Sequence, residues 1–256
     1  MERVTLLDNV YNFRHWHGYT GLDGAVIRPG LFRSGHFAHA SDADLDHFHG
    51  LNIAVVADLR RPRERNQMPS PWLETPGVTT LSSDQNDHPE PPHLEFLRKG
   101  DITPDTVRGY MLSAYQRIPT EEGNQIVFRN AFRALANGDA ESGFLVHCAA
   151  GKDRTGLFCA LVLDTLGVDR DVVMEDYLLT NTAVDYDRLV PAFQGRLRKD
   201  MGLEVDEEAM RVFLGVHADF LNESFATIGS SHDYLTGALG ITEDEIEALK
   251  AHWLDR

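Results

Sequence analysis

The sequence predicts an α/β fold: a mostly parallel central sheet flanked by helices, with a helical lid insertion and a helical C-terminal half. Two observations carry this. Short apolar runs rich in β-branched residues alternate with longer stretches of helical periodicity. Strands separated by helices also run parallel, because the crossover returns the chain to the same edge of the sheet. The 256 residues, 42% of them hydrophobic, suffice to bury a substantial core. No composition shift marks a linker, so residues 1–256 read as one domain.

The elements follow in order. Residues 41–50, SDADLDHFHG, form a short helix, with Ser41 and Asp44 at capping-box spacing and Gly50 as its stop. Residues 52–59, NIAVVADL, are a strand by length and β-branching. VTTLSS at 78–83 is a weaker strand. Residues 84–93 are a loop by their Pro and Asp content. Amphipathic helices follow at 103–118 and 123–138, then a buried strand at 143–148 and a strongly apolar helix at 155–167. The remainder is helical: 170–181, 186–199, 206–216, 217–229, 231–239 and 243–254, the last opened by a capping box at Thr242 and Glu245. The polar stretch and helix between the second strand and the third, residues 84–120, have the length of a functional cover over a site.

The formal net charge is -16, which argues against nucleic acid or an anionic membrane as partner. No run reaches the ~18 apolar residues of a membrane span, and the N-terminal residues lack the order of a signal peptide. Two cysteines are too few for a disulfide framework. A reducing compartment, the cytoplasm by default, is the reading, with room for export without a standard signal. Against this acidic background two basic patches stand out: Lys152 with Arg154, and RRPRER at 60–65.

The first patch lies in HCAAGKDRTG, residues 147–156, between a strand and a helix. A helix N-terminus presents unpaired N–H groups and partial positive charge, and a tight curl before it adds more. Such a concavity binds a phosphate dianion. Ala149, Ala150 and Gly151 keep side chains out of it, and Arg154 grips two phosphate oxygens with its planar fork. Cys148, in the same positive field, is placed as a thiolate nucleophile in line with phosphorus. Asp153 is the candidate donor of a proton to the leaving oxygen, and Thr155 the candidate hydrogen bond to the sulfur. Lys152 is a second cation, suited to a neighbouring phosphate on the same substrate. A nucleotide-binding P-loop is ruled out, since Asp153 stands where Ser or Thr must follow the lysine.

These residues resemble the cysteine-based protein tyrosine phosphatases, whose signature is His-Cys, five residues, Arg. The closer likeness is to the bacterial phosphatases of the PtpB/LipA type. It extends through YNFR (11–14), RPGLFRSG (28–35), VVADLR (55–60), YMLSAYQRIPT (110–120), DYLLTN (176–181) and GVHADFL (215–221). HWHGYTG at 15–21 departs from the family's Asp and paired glycines. The resemblance implies the phosphatase α/β fold, Cys148 as nucleophile, residues 148–154 as phosphate cradle, and Asp153 as acid. It implies a phosphomonoester hydrolase working through a phosphocysteine on phosphotyrosine, with phosphoserine, phosphothreonine or a phosphoinositide as further substrates.

Asp58 and Arg60 end one predicted strand and Cys148 follows another, so in a parallel sheet they share one edge. Asp58 is there an alternative acid or a partner orienting Arg154; the plainer reading is a buried cap beside an Arg60–Glu64 ion pair. His147 reads as a support for Cys148, and Cys159 as core. No histidine cluster has a metal-ligand spacing, so neither metal nor cofactor is expected. The competing class is a phosphatase-like binding module without catalysis; the presence of both Cys148 and Arg154 argues against it.

Overall fold

The structure is a computed structural model, and it describes residues 3–70, 75–85, 92–98, 101–140 and 142–255. A five-stranded sheet runs in the order β1-β3-β6-β4-β5. Its strands are β1 (Arg14–His15), β3 (Leu31–Ser34), β4 (Val55–Asp58), β5 (Thr79–Leu81) and β6 (Phe144–His147). β1 is antiparallel to β3, and the other neighbours are parallel. A separate two-residue pairing joins β2 (Val26–Ile27) to β7 (Leu254–Asp255).

β4 and β6 are buried at every position, as strands covered on both faces must be. Their side chains alternate between two cores. Val55, Ala57, Phe144 and Val146 face the larger; Val56 and Leu145 face a smaller one with Phe13, Phe37 and Phe48. The smaller core is closed by α1 (Asp42–His49), whose predicted capping box is formed by Ser41 and Asp44.

The remaining helices are α2 (Pro62–Gln67), α3 (Pro92–Arg98), α4 (Pro104–Arg117), α5 (Glu122–Ala136), α6 (Asp153–Thr165), α7 (Arg170–Leu178), α8 (Tyr186–Met201), α9 (Glu207–Leu214), α10 (Ala218–Ile228), α11 (Ser231–Asp233) and α12 (Glu243–Trp253). A π-turn at Tyr234–Ala238 follows α11, and α12 opens on the expected Thr242–Glu245 box. α6 carries nine buried residues from Thr155 to Leu163 and is the central helix of the larger core.

Three differences from the expectations have physical causes. β3, next to the central strand, escapes the apolar pattern because Arg33 occupies one of its four positions, fully buried. α2 is polar throughout and lacks an amphipathic signal; Pro62 at its start and the Arg61 N–H on Glu64 Oε2 (2.7 Å) define it instead. Within 84–120, α4 does not form a cover. Val107, Met111 and Tyr115 bury its inner face in the core, so α4 is a layer of the fold. α3 occupies the end of the stretch read as loop, and residues 86–91 and 99–100 of that segment lie outside the described residues.

β6 lies between β3 and β4 although it follows both in sequence, so the strand order reverses around it. Ligands of open α/β sheets bind at the carboxyl ends of strands flanking such a reversal. The register places Ser34, His147 and Asp58 level across this edge, with Cys148 one residue beyond.

Candidate active site

The loop after β6 is held from outside by its carbonyls. The Ala149 carbonyl accepts the His36 N–H at 3.2 Å. The Gly151 carbonyl accepts Asn12 Nδ2 at 2.7 Å and Arg33 Nη2 at 3.0 Å. A trans peptide points the next N–H opposite to its carbonyl. The amides of Ala150 and Lys152 therefore face away from this scaffold, into the curl. Gly151 has φ +70, and a Cβ there would lie 2.6 Å from the Gly35 nitrogen as well as against the Ser34 carbonyl. Only glycine fits that turn.

Beneath the loop lies a buried charge cluster. Arg14 and Arg33 are both fully buried and share one carboxylate, Asp176, whose Oδ2 is 3.1 Å from Arg33 Nη1 and whose Oδ1 is 3.9 Å from Arg14 Nε. Arg14 also bonds Asn12 Oδ1, the Asp176 carbonyl and Thr180. Burial, then Arg33, brings the Arg14 guanidinium down to about 10, which leaves it cationic at neutral pH. Two cations against one anion leave positive charge directly under the curl, in a chain that is strongly acidic as a whole. The motifs YNFR, RPGLFRSG and DYLLTN thus converge on one scaffold.

Arg154 is locked in place. Its Nη1 and Nη2 meet Glu64 Oε2 and Oε1 at 2.7 and 2.8 Å, and Nη1 also donates to the Leu59 carbonyl at 2.8 Å. Burial alone would raise the Glu64 carboxyl, but Arg154 and the Arg61 N–H hold it down at about 2. The sequence offers Glu64 only as an ion-pair partner of Arg60, not of Arg154. Its signal was there, an acid inside an arginine-rich stretch three residues after the future helix cap at Arg61.

Asp58 does not orient Arg154. It is fully buried and takes Arg60 in a fork, with Nε at 2.9 Å from Oδ1 and Nη2 at 2.7 Å from Oδ2. Burial opposes its charge, but His147 and Arg60 hold the carboxyl below the usual range, an environment that suits a permanent anion better than a proton donor. The expected Arg60–Glu64 pair is replaced by Arg60–Asp58 and Arg154–Glu64. RRPRER is not an open basic patch either: Arg61 pairs with Glu121 and Arg65 with Asp84.

His147 is fully buried, its Nδ1 3.3 Å from the Cys148 carbonyl and its Nε2 3.6 Å from Asp58 Oδ1. Burial pushes it down to about 4, so it is a neutral support at physiological pH. Cys148 and Cys159 are both buried free thiols. Thr155 is buried, and its Oγ1 makes no hydrogen bond among the described residues, to the sulfur or otherwise.

Lys152 is turned away from the rim. Its Nζ donates to the Phe213 carbonyl at 2.5 Å and the Gly215 carbonyl at 3.1 Å, and the residue is 7% exposed. It ties the loop to the C-terminal end of α9 and the residue that caps it. Asp153, the first residue of α6, accepts the Tyr115 hydroxyl on Oδ1 at 2.7 Å.

Amides facing into a curl, with a thiol at one end and a fixed guanidinium at the other, suit a phosphomonoester. The class of protein that such a loop defines, at the carboxyl edge of such a sheet, is a cysteine-based phosphatase. A family model described as the tyrosine phosphatase family matches residues 5–255, and the chain belongs to that family: it is a protein-tyrosine phosphatase. Among its relatives is a Cupriavidus necator protein that carries a tyrosine-protein phosphatase name, 32% identical over 96% of this chain and 87% of that one. The triple specificity protein phosphatase PtpB of Mycobacterium tuberculosis is 30% identical over 96% of this chain and 98% of its own length. A tyrosine-protein phosphatase of Nostoc commune is 25% identical, covering 88% and 74% respectively. No helix among the described residues is long and apolar enough to cross a membrane.

Proposed function

We propose that the enzyme hydrolyses phosphotyrosine in two steps on the loop 148–154, with phosphorylated protein as its substrate. The outward-tied carbonyls of Ala149 and Gly151 are the observation that carries this reading, because they leave the intervening amides for phosphate oxygens. Cys148 Sγ attacks phosphorus, the phosphorus–ester oxygen bond breaks, and the leaving oxygen takes a proton from Asp153. Water then attacks phosphorus as its proton passes to the Asp153 carboxylate; the sulfur–phosphorus bond breaks and phosphate departs. Arg154, pre-aligned by Glu64, holds equatorial oxygens in both steps. His147 and Arg60 support the sheet edge under the loop.

A phosphoinositide is the second substrate class. The cation meant to meet an additional phosphate was Lys152, and its engagement with Phe213 and Gly215 favours a phosphotyrosine peptide. The triple specificity in the name of the M. tuberculosis relative keeps the broader range worth testing. Phosphotyrosine, phosphoserine and phosphothreonine peptides and phosphoinositides should therefore be assayed side by side, with chelator present. Cys148→Ser is expected to abolish turnover on all of them while still binding vanadate. Substantial residual turnover would overturn the mechanism, and vanadate binding without wild-type turnover would mark a silent binding module.

A further inference from the structure

We infer that Tyr115 is a positioning residue for the proton-transfer step: its hydroxyl fixes Asp153 by Oδ1 and leaves Oδ2 to face the leaving oxygen. This rests on the assignment of Asp153 as acid.

The geometry admits one arrangement of protons. Oδ1 of Asp153 accepts both in the carboxylate and in the acid protonated on Oδ2, and a tyrosine hydroxyl has one proton. Tyr115 Oη lies 2.7 Å from Asp153 Oδ1 and 2.6 Å from Tyr177 Oη. Tyr115 therefore donates to Asp153, and Tyr177 donates to Tyr115. Burial, then the charge of Asp153, pushes both hydroxyls well above the ordinary tyrosine range, so both remain donors through any practical assay pH.

The relay is rigid. Tyr115 is fully buried, with its ring 5.5 Å from that of Phe220 and edge-on to Tyr177 at 6.3 Å. Its carbonyl accepts the Ser224 hydroxyl at 2.7 Å, which pins α4 to α10 at this residue. Tyr177 packs against Gly156, where a Cβ would sit 2.9 Å from its ring. Packing alone would be served by phenylalanine. A buried hydroxyl costs stability unless it is bonded, and the bonds made by the Tyr115 hydroxyl are those to Asp153 and Tyr177. Lys152, a cation 3.6 Å from Asp153 Oδ1, is committed to two carbonyls.

In the first step the proton leaves Asp153 Oδ2 for the ester oxygen as the phosphorus–oxygen bond breaks, and the new carboxylate keeps its Tyr115 bond on Oδ1. In the second step Oδ2 takes the proton of the attacking water. A hydroxyl held on Oδ1 strengthens as charge develops there, so its benefit belongs to the transition state.

The test compares Tyr115→Phe, Tyr177→Phe, Asp153→Asn and Tyr115→Phe/Asp153→Asn on a phosphotyrosine peptide and on p-nitrophenyl phosphate, whose leaving group needs little protonation. Tyr115→Phe is expected to lower kcat about tenfold on the peptide, the worth of one hydrogen bond to a charged group. The loss on p-nitrophenyl phosphate should be much smaller, with KM and vanadate affinity unchanged. Added to Asp153→Asn it should cost nothing further. Tyr177→Phe should act in the same direction more weakly, and it decides the matter if Tyr115→Phe fails to bind vanadate. Equal losses on both substrates, or full additivity with Asp153→Asn, overturn the role of Tyr115. If Asp153→Asn itself affects both substrates equally, the acid assignment falls and this inference with it. A selective loss in Asp153→Asn without one in either tyrosine variant spares the acid and overturns the relay alone.

Discussion

Glu64 shows how a residue outside the loop can govern the arginine proposed to bind phosphate. Its two oxygens take both terminal nitrogens of Arg154, a bidentate pairing that fixes the plane of the guanidinium as well as its position. Glu64→Gln removes the charge and one acceptor. Arg154 then has to be oriented by substrate itself. kcat/KM is expected to drop by about tenfold or more, the worth of a charge-assisted hydrogen bond, with a matching loss of vanadate affinity and a lower thermal midpoint, because the buried guanidinium loses its counter-charge. Steady-state kinetics with a vanadate titration checks this; unchanged vanadate affinity would mean that the Leu59 carbonyl alone suffices to hold Arg154. Lys152 teaches the converse. A lysine in a phosphate loop reads from sequence as a ligand for phosphate, yet two carbonyls 61 and 63 residues away claim its ammonium.

At the scale of elements, the segment 84–120 divides into parts of different character. α4 is built into the core and carries Tyr115, whereas α3 buries only Leu97 fully and stacks Phe96 on Tyr110 at 4.5 Å. Hydrogen exchange should find α4 strongly protected with or without vanadate. α3 should exchange faster and slow when vanadate binds. Equal, strong protection of both helices in both states would make the whole segment a fixed layer. The same contrast explains what the sequence revealed. β4, β6, α4, α5 and α6 declare themselves because their burial is apolar and periodic. β3 and α2 do not, because Arg33 and Glu64 are explained only by Asp176 and Arg154, partners 143 and 90 residues distant. Cys148, Arg154 and Asp153 were legible because they share one short motif. Glu64, Tyr115, Asn12 and Arg33 meet that motif only through the fold.

For the molecule as a whole, charge is distributed by depth. The net charge is -16, yet Arg14 and Arg33 lie buried beneath the loop 148–154 around a single carboxylate. Three histidines, His17, His36 and His147, are pushed down to about 4, in each case by burial first. In the unfolded chain they titrate near 6.5, so between pH 6.5 and 4 the unfolded state binds more protons. Stability therefore falls as pH falls through that window. Fully buried His147 alone accounts for about 3 kcal/mol of the loss by pH 4, from a shift of ~2.5 pH units at 1.36 kcal/mol each. Urea unfolding at a series of pH values reads this directly, and a flat profile from 6.5 to 4 would show the histidines to be solvated. The outward-tied carbonyls of the loop have one last consequence. Asn12, Arg33 and His36 order the curl as the chain folds, so its shape does not depend on which phosphate arrives. On the proposed mechanism, a cradle fixed in this way would hold the free inorganic ion by the same contacts as the esterified one. Turnover is therefore expected to be restrained by its own product, so that inorganic phosphate added to the assay should lower the rate.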